Sequence, residues 1–328
     1  MSRSKPHARV VKKSTIYDVA RKAEVSAGTV SRVLNNRDRV KTETRERILR
    51  IATELNLKPQ VTVRNREVAI ISDPTYSDRV EGYAATLTAH LSFALSKRAI
   101  GVILPVDPSE QLPGMFFDGA IVVTRDKTVE ALAAELQSRL PVVYMDKFPA
   151  AANELVVSSD HFGAGYLAAQ HLIARGRKKL GFLGSDYPAF AERLKGFKKA
   201  LQEADLPIDD RCTSLAAVDG PRVSAVTRIV RSGADAIYAP GSSFQALECL
   251  QILTYVMGLK VPQDVALIGG ENEGISALLT PPLTTIEEPM REMAEQAATM
   301  IDRLSSGQTI SQRQIMLPVR LIERDSVV

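Results

Sequence analysis

Residues 14 to 36 constrain the fold more than any other stretch, because their apolar side chains recur at the spacing of two short helices. Between the two helices, Glu24-Val25-Ser26 forms a short turn. Ser26 can cap the second helix, since its hydroxyl can accept a hydrogen bond from a free backbone N–H group. The pattern therefore predicts a helix–turn–helix unit. Its apolar positions are Ile16, Val19, Ala20, Val30, Val33 and Leu34.

The outward face of the second predicted helix carries side chains that suit a nucleic acid. It consists of Ser26, Thr29, Ser31, Arg32 and Asn35. Short hydroxyl and amide groups can bind phosphate oxygens, and the arginine fork can reach the edge of a guanine. We therefore predict DNA binding. The alternatives are an ordinary amphipathic helix pair and an Arg32 that forms a surface ion pair with Asp18 or Asp38.

The charge is divided unevenly along the chain, whose formal net charge is +4. Residues 1 to 66 hold 17 of the 42 basic residues but only 6 of the 38 acidic ones. A basic N-terminal part on an acidic remainder is typical of a nucleic-acid-binding module joined to a sensing or assembly domain. Residues 1 to 13 are basic and without periodicity, so we predict a disordered tail there.

The stretch TIYDVARKAEVSAGTVSRVLNN resembles the headpiece of the lactose-repressor (LacI/GalR) family of bacterial transcription regulators. It matches the family pattern Thr-Ile-x-Asp-Val-Ala, then Val-Ser-x-x-Thr-Val-Ser-Arg-Val-Leu-Asn, at nearly every fixed position. The resemblance implies a headpiece over residues 14 to 57. It also implies phosphate contacts by Thr15, Tyr17, Ser26, Thr29, Ser31 and Asn35. Ala27 and Gly28 match the main specificity positions, and since neither has a polar side chain, base hydrogen bonding is left to Arg32.

Residues 58 to 67, KPQVTVRNRE, form a predicted hinge linker. In the family, this segment usually forms a short helix whose leucine inserts into the minor groove of DNA. Here three consecutive β-branched residues follow Gln60, and no leucine stands at the corresponding place. We therefore predict an extended hinge with Arg64 and Arg66 on phosphates or in a narrow minor groove. The alternative is a flexible tether on which both arginines are only solvated.

From Val68 onward, apolar strand patterns alternate with helix patterns, which predicts a doubly wound α/β body over residues 68 to 328. The stretches DHFGAGYLAAQHLIARGRKKLGFLG, ERLKGFKKALQEADLPID and PPLTTIEEPMREMAEQAATMI resemble the effector domain of the same family. That resemblance implies the fold of periplasmic sugar-binding proteins, with two lobes and a cleft between them. We predict that a second α/β unit begins near Val156 and that one strand, Ile315 to Ile322, ends the fold.

The first lobe is predicted to be truncated. Only about fourteen residues separate the predicted strands 100–104 and 119–124, where the family usually has a whole helix. We therefore expect this lobe to lack one helix, which puts the ordinary shape of the cleft in doubt.

The resemblance also implies a ligand site in the cleft. The positions that match the family's ligand contacts are Ser72, Asp73, Asp160, Arg193, Ser242 and Glu271. An Asp/Arg pair suits sugar hydroxyls, a carboxylate or a phosphate. Two positions depart from the family, which commonly has Asn-Asp at Gly241-Ser242 and Asp at Glu271. Alternatively, Asp160 only caps a helix, and Arg193 pairs with Glu192 or Glu203.

Several classes of protein are disfavoured by the sequence. No apolar run approaches the length of a membrane span, and the N-terminus lacks the apolar segment of a secretory signal. We therefore expect a cytoplasmic protein without a membrane partner. Two scattered cysteines indicate no disulfide framework, and there is no metal-ligand cluster, nucleophile–base pair or phosphate loop in the sequence. We expect no enzyme activity, no metal and no cofactor.

Together these features predict a sequence-specific DNA-binding regulator of transcription, most often a repressor in this family. Two copies related by a twofold axis would bind a pseudo-palindromic operator as a homodimer. A small effector, a sugar or related metabolite, would bind in the cleft and modulate the affinity for DNA. The alternative is a ligand-independent regulator whose body serves only dimerisation, which the truncated lobe and the altered cleft residues favour.

Overall fold

The chain divides into two compact units, residues 1–66 and residues 67–328, here called the headpiece and the body. The computed structural model describes residues 15–34, 40–55, 66–72, 82–113, 115–123, 127–216, 222–241, 245–272 and 274–328. The predicted tail and nearly all of the predicted linker lie outside these described residues. Within them, no helix is both long and apolar enough to cross a lipid bilayer.

The headpiece contains three helices, α1 (Ile16–Lys22), α2 (Ala27–Leu34) and α3 (Thr42–Glu54). Val19, Val30 and Ile48, one from each helix, are completely buried and form the centre of a small apolar core. α1 and α2 are joined by a short turn in which Glu24 has a positive φ of 52°. The predicted helix–turn–helix unit is therefore confirmed.

The first lobe of the body is built on a parallel sheet of six strands. They are β1 (Glu67–Ile71), β2 (Gly101–Ile103), β3 (Gly119–Val122), β4 (Val142–Met145), β5 (Leu155–Ser159) and β11 (Gln314–Leu317). Their spatial order is β11-β5-β4-β3-β1-β2. Helices α4 (Gly82–Ser96) and α11 (Met290–Ser305) cover one face, and α6 (Lys127–Gln137) covers the other. Burial on both faces explains the continuous apolar runs of the strands.

The second lobe is built on another six-stranded sheet. Its strands are β6 (Leu180–Ser185), β7 (Thr213–Ala216), β8 (Ala236–Ala239), β9 (Ala266–Gly270), β10 (Thr284–Glu287) and β12 (Arg320–Ile322). Their order is β12-β10-β9-β8-β6-β7, and β12 runs antiparallel to β10. The helices are α7 (His161–Ala174), α8 (Pro188–Glu203), α9 (Arg222–Arg231) and α10 (Gln245–Gln251), which continues as a π-helical stretch, Ile252–Val256.

Helices α7 and α8 pack against each other at two glycines. A Cβ atom on Gly165 would lie 1.7 Å from the carbonyl oxygen of Arg193, and one on Gly196 would lie 1.9 Å from that of Phe162. Because both obstacles are backbone atoms, no side chain fits at either position. This close approach fixes the place of Arg193 relative to the start of α7.

Three expectations about the body need correction. The strand near Val156 is β5 of the first sheet, so it does not open a second unit. The last predicted strand is two strands, β11 and β12, which join different sheets. Pro318 lies between them and has no N–H group to continue a ladder. The connection between β2 and β3 holds a single helical turn, α5 (Pro108–Gln111), so the helix there is shortened and not absent.

The body chain crosses between its lobes three times: from β5 to α7, from β10 to α11, and from β11 to β12. Each lobe is therefore assembled from segments that are far apart in the sequence. The segments at which the chain crosses bring side chains of both lobes together.

Candidate functional site

The start of α1 is fixed by Thr15. Its backbone N–H group and its hydroxyl both donate to Asp18 Oδ2, over 2.9 and 2.8 Å. This arrangement satisfies polar groups in the first turn of the helix. The hydroxyl of Thr15 thus has a local partner in the headpiece, and its phosphate contact remains a prediction.

The start of α2 is fixed by Ser26. The backbone N–H group of Thr29 donates to Ser26 Oγ over 3.1 Å, which confirms Ser26 as the N-cap. The hydroxyl oxygens of Ser26 and Thr29 are also 2.8 Å apart. Two hydroxyl groups therefore lie side by side where the free N–H groups of a helix favour a phosphate.

Arg32 is exposed on α2, and its Nε donates to the carbonyl oxygen of Gly28 over 3.3 Å. Because Gly28 lies one helical turn earlier, this bond holds the side chain along the helix toward its start. Asp18 pairs with Arg21 at 3.2 Å, and among the described residues no ion pair joins it to Arg32. Asp38 lies outside the described residues.

The other predicted DNA contacts differ in exposure. Tyr17 is 67% exposed, and Gly28 is also exposed. Thr29 and Ser31 are half-buried, and Ala27 packs against the headpiece core, so its methyl group is only partly accessible. Arg66 is half-buried immediately before β1. Asn35 and Arg64 lie outside the described residues.

In the body, six polar residues meet where the chain crosses between the lobes, and we call them the interlobe polar cluster. They are Tyr83, Asp146, Ser159, His161, Arg193 and Glu288. Asp146 follows β4, Ser159 ends β5 and Glu288 follows β10. These three lie at the carboxyl ends of parallel strands, where α/β sheets usually bind ligands.

The hydrogen bonds of the cluster start from Asp146, which accepts from the hydroxyl of Tyr83 and, over 3.0 Å, from the backbone N–H group of Ser159. The hydroxyl of Ser159 donates to Glu288 Oε2 over 2.9 Å. The other carboxylate oxygen of Glu288 lies 2.7 Å from Arg193 Nη2. His161 lies between these groups, with Nδ1 3.3 Å from Ser159 Oγ and Nε2 3.3 Å from Asp146 Oδ1.

Contacts within the cluster favour the charged forms of Asp146 and Arg193. Burial raises the pKa of Asp146, but the contacts with His161, Tyr83 and the backbone N–H group of Ser159 outweigh burial and lower the pKa from 3.8 to about 2. Burial lowers the pKa of the Arg193 guanidinium, but the surrounding groups, Glu288 first among them and then Tyr238 and Asp146, together outweigh burial and raise the pKa. The result is a buried set of opposite charges that spans both lobes.

Two predicted cleft residues have partners that sequence reasoning did not identify. Arg193 is 4% exposed and pairs with Glu288, so the alternatives Glu192 and Glu203 were wrong. Glu271 accepts hydrogen bonds from Thr285 and, over 2.9 Å, from Arg324 Nη1. The negative charge of Glu271 is therefore already balanced by Arg324 inside the second lobe.

The remaining predicted cleft residues are less informative. Asp160 Oδ1 accepts from the backbone N–H group of Gly163 over 2.7 Å, so Asp160 caps α7. Ser72 is half-buried directly after β1. Asp73 and Ser242 lie outside the described residues.

Sequence reasoning missed five members of the cluster. Asp146, Ser159 and Glu288 stand at the ends of strand runs, so the rule that ligands bind at the carboxyl ends of strands could have found them. Tyr83 and His161 carry no comparable local signal. They join the cluster only because helices and crossing segments from both lobes meet there.

A cavity of about 220 Å³ borders Glu288. Thr86 and Met290 line it from first-lobe helices, and Glu271 and Asn272 line it from the end of β9. Its volume is below that of many small-molecule pockets. In the part of the chain that the structure describes, no three His, Cys, Asp or Glu residues are grouped to hold a metal ion.

Comparisons with known proteins match both units. A family model described as bacterial regulatory proteins, lacI family, matches residues 15–60, and one for a periplasmic binding protein-like domain matches residues 169–327. The transcriptional regulator DegA of Bacillus subtilis is 30% identical to this chain, over 96% of this chain and 98% of its own length.

Two solved structures resemble the chain over nearly its whole length. The transcriptional regulator CelR in complex with cellobiose has a TM-score of 0.70 and 27% identity, and the match covers 95% of this chain and 99% of that one. The lac repressor dimer bound to operator and the anti-inducer ONPF has a TM-score of 0.69 and 22% identity, with coverage of 96% and 99%. The second likeness concerns the fold alone.

Proposed function

Because the chain belongs to the LacI family of bacterial transcription regulators, we propose that it represses transcription by binding a pseudo-palindromic DNA operator as a homodimer. A small effector in the body sets its affinity for DNA. The proposal includes no catalytic reaction, and it assigns the protein to the cytoplasm, where bacterial operator DNA lies.

The observation that carries this proposal is the outward face of α2. A recognition helix contacts base edges with its N-terminal residues. Ser26 and Thr29 present hydroxyl groups at that end, and Arg32 is held toward it by its bond to Gly28. Arg32 is the proposed base reader, and the hydroxyl groups hold phosphates. Arg64 and Arg66 add contacts from the linker.

The homodimer is supported by an uncharged surface on the first lobe. α4 contains no Asp, Glu, Lys or Arg over its whole length. Its exposed side includes Ala89 and Phe93, and the aromatic side chain is 70% exposed. An exposed aromatic group on an uncharged helix is typical of a protein interface. A second copy of the chain is the partner that a twofold operator requires.

The effector is proposed to act through the interlobe polar cluster. Glu288 lies between β10 of the second lobe and α11 of the first, and it is bonded to Ser159, which precedes another crossing. A ligand that rearranges these bonds changes the angle between the lobes, and so the spacing of two headpieces in a dimer. The solved relative CelR is a cellobiose complex, which supports a sugar or related metabolite.

A ligand-independent regulator is the second candidate. Glu271 is already paired with Arg324, and Asp160 caps a helix, so two predicted ligand contacts have internal partners. In this case the body serves only dimerisation. A thermal-shift screen with sugars, sugar phosphates and purines separates the two candidates, because a saturable stabilisation removes the second.

Selection of DNA from a random library by the full-length chain, followed by footprinting, tests the proposed function. We expect an enriched sequence with two inverted half-sites and a footprint over both. A promoter that carries this sequence should be less active when the protein is present. Equal binding to random DNA contradicts specific regulation, and a more active promoter contradicts repression alone.

A further inference from the structure

We propose that the ligand site of the body accepts an uncharged ligand and excludes anions, and that Glu288 is the residue that sets this specificity. The inference rests on the proposed effector site in the body. It decides between two ligand classes that an Asp/Arg pair alone leaves open, namely sugar hydroxyls on one side and carboxylates or phosphates on the other.

In the interlobe polar cluster, the cation that would bind an anion is Arg193. Arg193 is buried, and its Nη2 lies 2.7 Å from Glu288 Oε1, whose side chain is 7% exposed. An anionic ligand could bind Arg193 only beside this carboxylate, in surroundings where water screens the repulsion poorly. The positive charge of Arg193 is thus already matched by the chain itself.

Glu288 is held in place by both of its carboxylate oxygen atoms. Oε1 faces Arg193, and Oε2 accepts a hydrogen bond from the hydroxyl of Ser159 over 2.9 Å. Swinging the carboxylate away to admit an anion would break both contacts at once. It would also leave the Glu288 charge without a partner inside the protein.

The charge of the whole interlobe polar cluster also disfavours an anion. Asp146 is buried and adds a second carboxylate, which lies 3.3 Å from His161 Nε2. If His161 is protonated, the cluster holds two cations and two anions, and if His161 is neutral, it holds one cation and two anions. Neither state has an excess of positive charge to attract an anion.

Arg193 keeps one polar atom for a ligand. Among the described residues, its Nε is buried and has no hydrogen-bond partner. A buried polar atom without a partner is uncommon and favours a binding site. The Nε–H group of Arg193 can donate to a hydroxyl or carbonyl oxygen, which an uncharged polyhydroxyl compound supplies without a charge to bury.

The lining of the cavity beside Glu288 also disfavours an anionic ligand. Glu271 and Glu287 also line it, and their positive partners, Arg324 and Arg320, bond to these carboxylates. The three carboxylates that line the cavity, including Glu288, therefore each have an arginine partner within the protein. An anion that enters the cavity meets three carboxylates and no uncompensated cation among the described residues.

Inorganic sulfate is the probe for the test, because its charge is constant over the neutral pH range. Thermal unfolding of the full-length chain is followed against sulfate concentration at constant ionic strength, with chloride as the replaced salt. Glu288→Gln keeps the shape of the side chain and removes its charge. Glu287→Gln removes the same charge next to it, from a residue whose partner Arg320 is mostly exposed, and is the matched control.

We expect a saturable stabilisation by sulfate in Glu288→Gln, with an affinity at least about tenfold above that of the unaltered chain. Glu287→Gln and the unaltered chain should show only the gradual, unsaturable effect of a stabilising salt. Adding Arg193→Gln to Glu288→Gln should abolish the saturable part. The inference fails if Glu288→Gln folds and gains no sulfate site, or if the unaltered chain already has an Arg193-dependent one.

A second measurement on the unaltered chain applies even if Glu288→Gln does not fold. Neutral sugars are compared with their own phosphate esters and with the corresponding sugar acids by titration calorimetry. Any saturable binding of an anionic member that Arg193→Gln removes overturns the inference, and absence of such binding supports it. DNA binding is measured separately in the same preparations. Loss of specific operator binding would contradict the proposed function, whereas the exclusion of anions is tested by the sulfate experiment.

Discussion

The headpiece and the body use their charged side chains in opposite ways. In the headpiece, Arg32 is exposed and bonded to a carbonyl oxygen of its own helix, and the pair Lys22–Glu54 has both side chains about half exposed. In the body, Arg193 and Glu288 are 5% and 7% exposed and bonded to each other. The charged side chains of the headpiece can therefore reorient toward DNA at little cost in free energy. Those of the body bind to each other and join segments of the two lobes.

The headpiece and the body should differ most in the stability that each loses when one positively charged side chain is removed. Arg193→Met leaves the buried carboxylate of Glu288 without its partner, and we expect the free energy of unfolding of the body to fall by about 3–5 kcal/mol. Lys22→Met breaks an exposed pair in the headpiece, and we expect almost no change. Urea denaturation of the full-length chain measures both. A loss below about 1 kcal/mol for Arg193→Met would show that water already enters the cluster.

The next largest difference in stability between the body and the headpiece should come from a methyl group added at a glycine. Gly165→Ala places a Cβ atom against the backbone of α8, and we expect the body to lose about 2–3 kcal/mol of stability. Gly28→Ala is the headpiece counterpart, since its added Cβ would have no neighbour closer than 3.7 Å. We expect it to stabilise α2 by about 0.5–1 kcal/mol. Equal effects on the two unfolding transitions would contradict the close crossing of α7 and α8.

The two regions also differ in how far the sequence predicts them. The headpiece is made of neighbouring residues, so apolar spacing and the Ser26 cap predict its helices and their packing. In the body, the patterns predict strands and helices but not the sheet to which each strand belongs. β5 and β11 show this, because each has an ordinary apolar pattern and joins the first sheet only through the crossings.

The same reason explains what was missed in the candidate site. A resemblance to a helix motif predicts Arg193, but its partner is Glu288, far along the chain in a crossing segment. Nearness in sequence suggests Glu192 or Glu203 instead. Only the fold shows that the nearest carboxylate in space comes from another segment.

An exposed arginine of the headpiece should contribute more to the affinity for DNA than to the stability of the fold. Arg32→Ala should weaken binding to the selected operator by about 1–3 kcal/mol and relax the preference at one base pair in each half-site. Arg21→Ala removes another exposed arginine, from α1, and is the control for charge. Mobility shifts on specific and random DNA measure both. An equal loss on the two DNAs would show that Arg32 contacts only phosphate.

The smallest effect should come from the linker, which lies between the two regions in sequence. Three consecutive β-branched residues disfavour a helix there, and an extended residue spans about 3.3 Å against 1.5 Å in a helix. An extended linker without a leucine has nothing to insert between base pairs. Arg64 and Arg66 are then left to neutralise phosphates or to enter a narrow minor groove.

Arg64→Ala combined with Arg66→Ala should therefore lower the affinity for DNA. The slope of log affinity against log salt concentration should become shallower by about two. Arg139→Ala combined with Arg231→Ala removes the same charge from exposed positions of the body and should leave the slope unchanged. A circular-permutation gel assay should show little bending of the operator, because an extended chain does not unstack a base step. A sharp central bend would mean that another linker residue acts as a wedge, and that the linker forms a helix on DNA despite its β-branched residues.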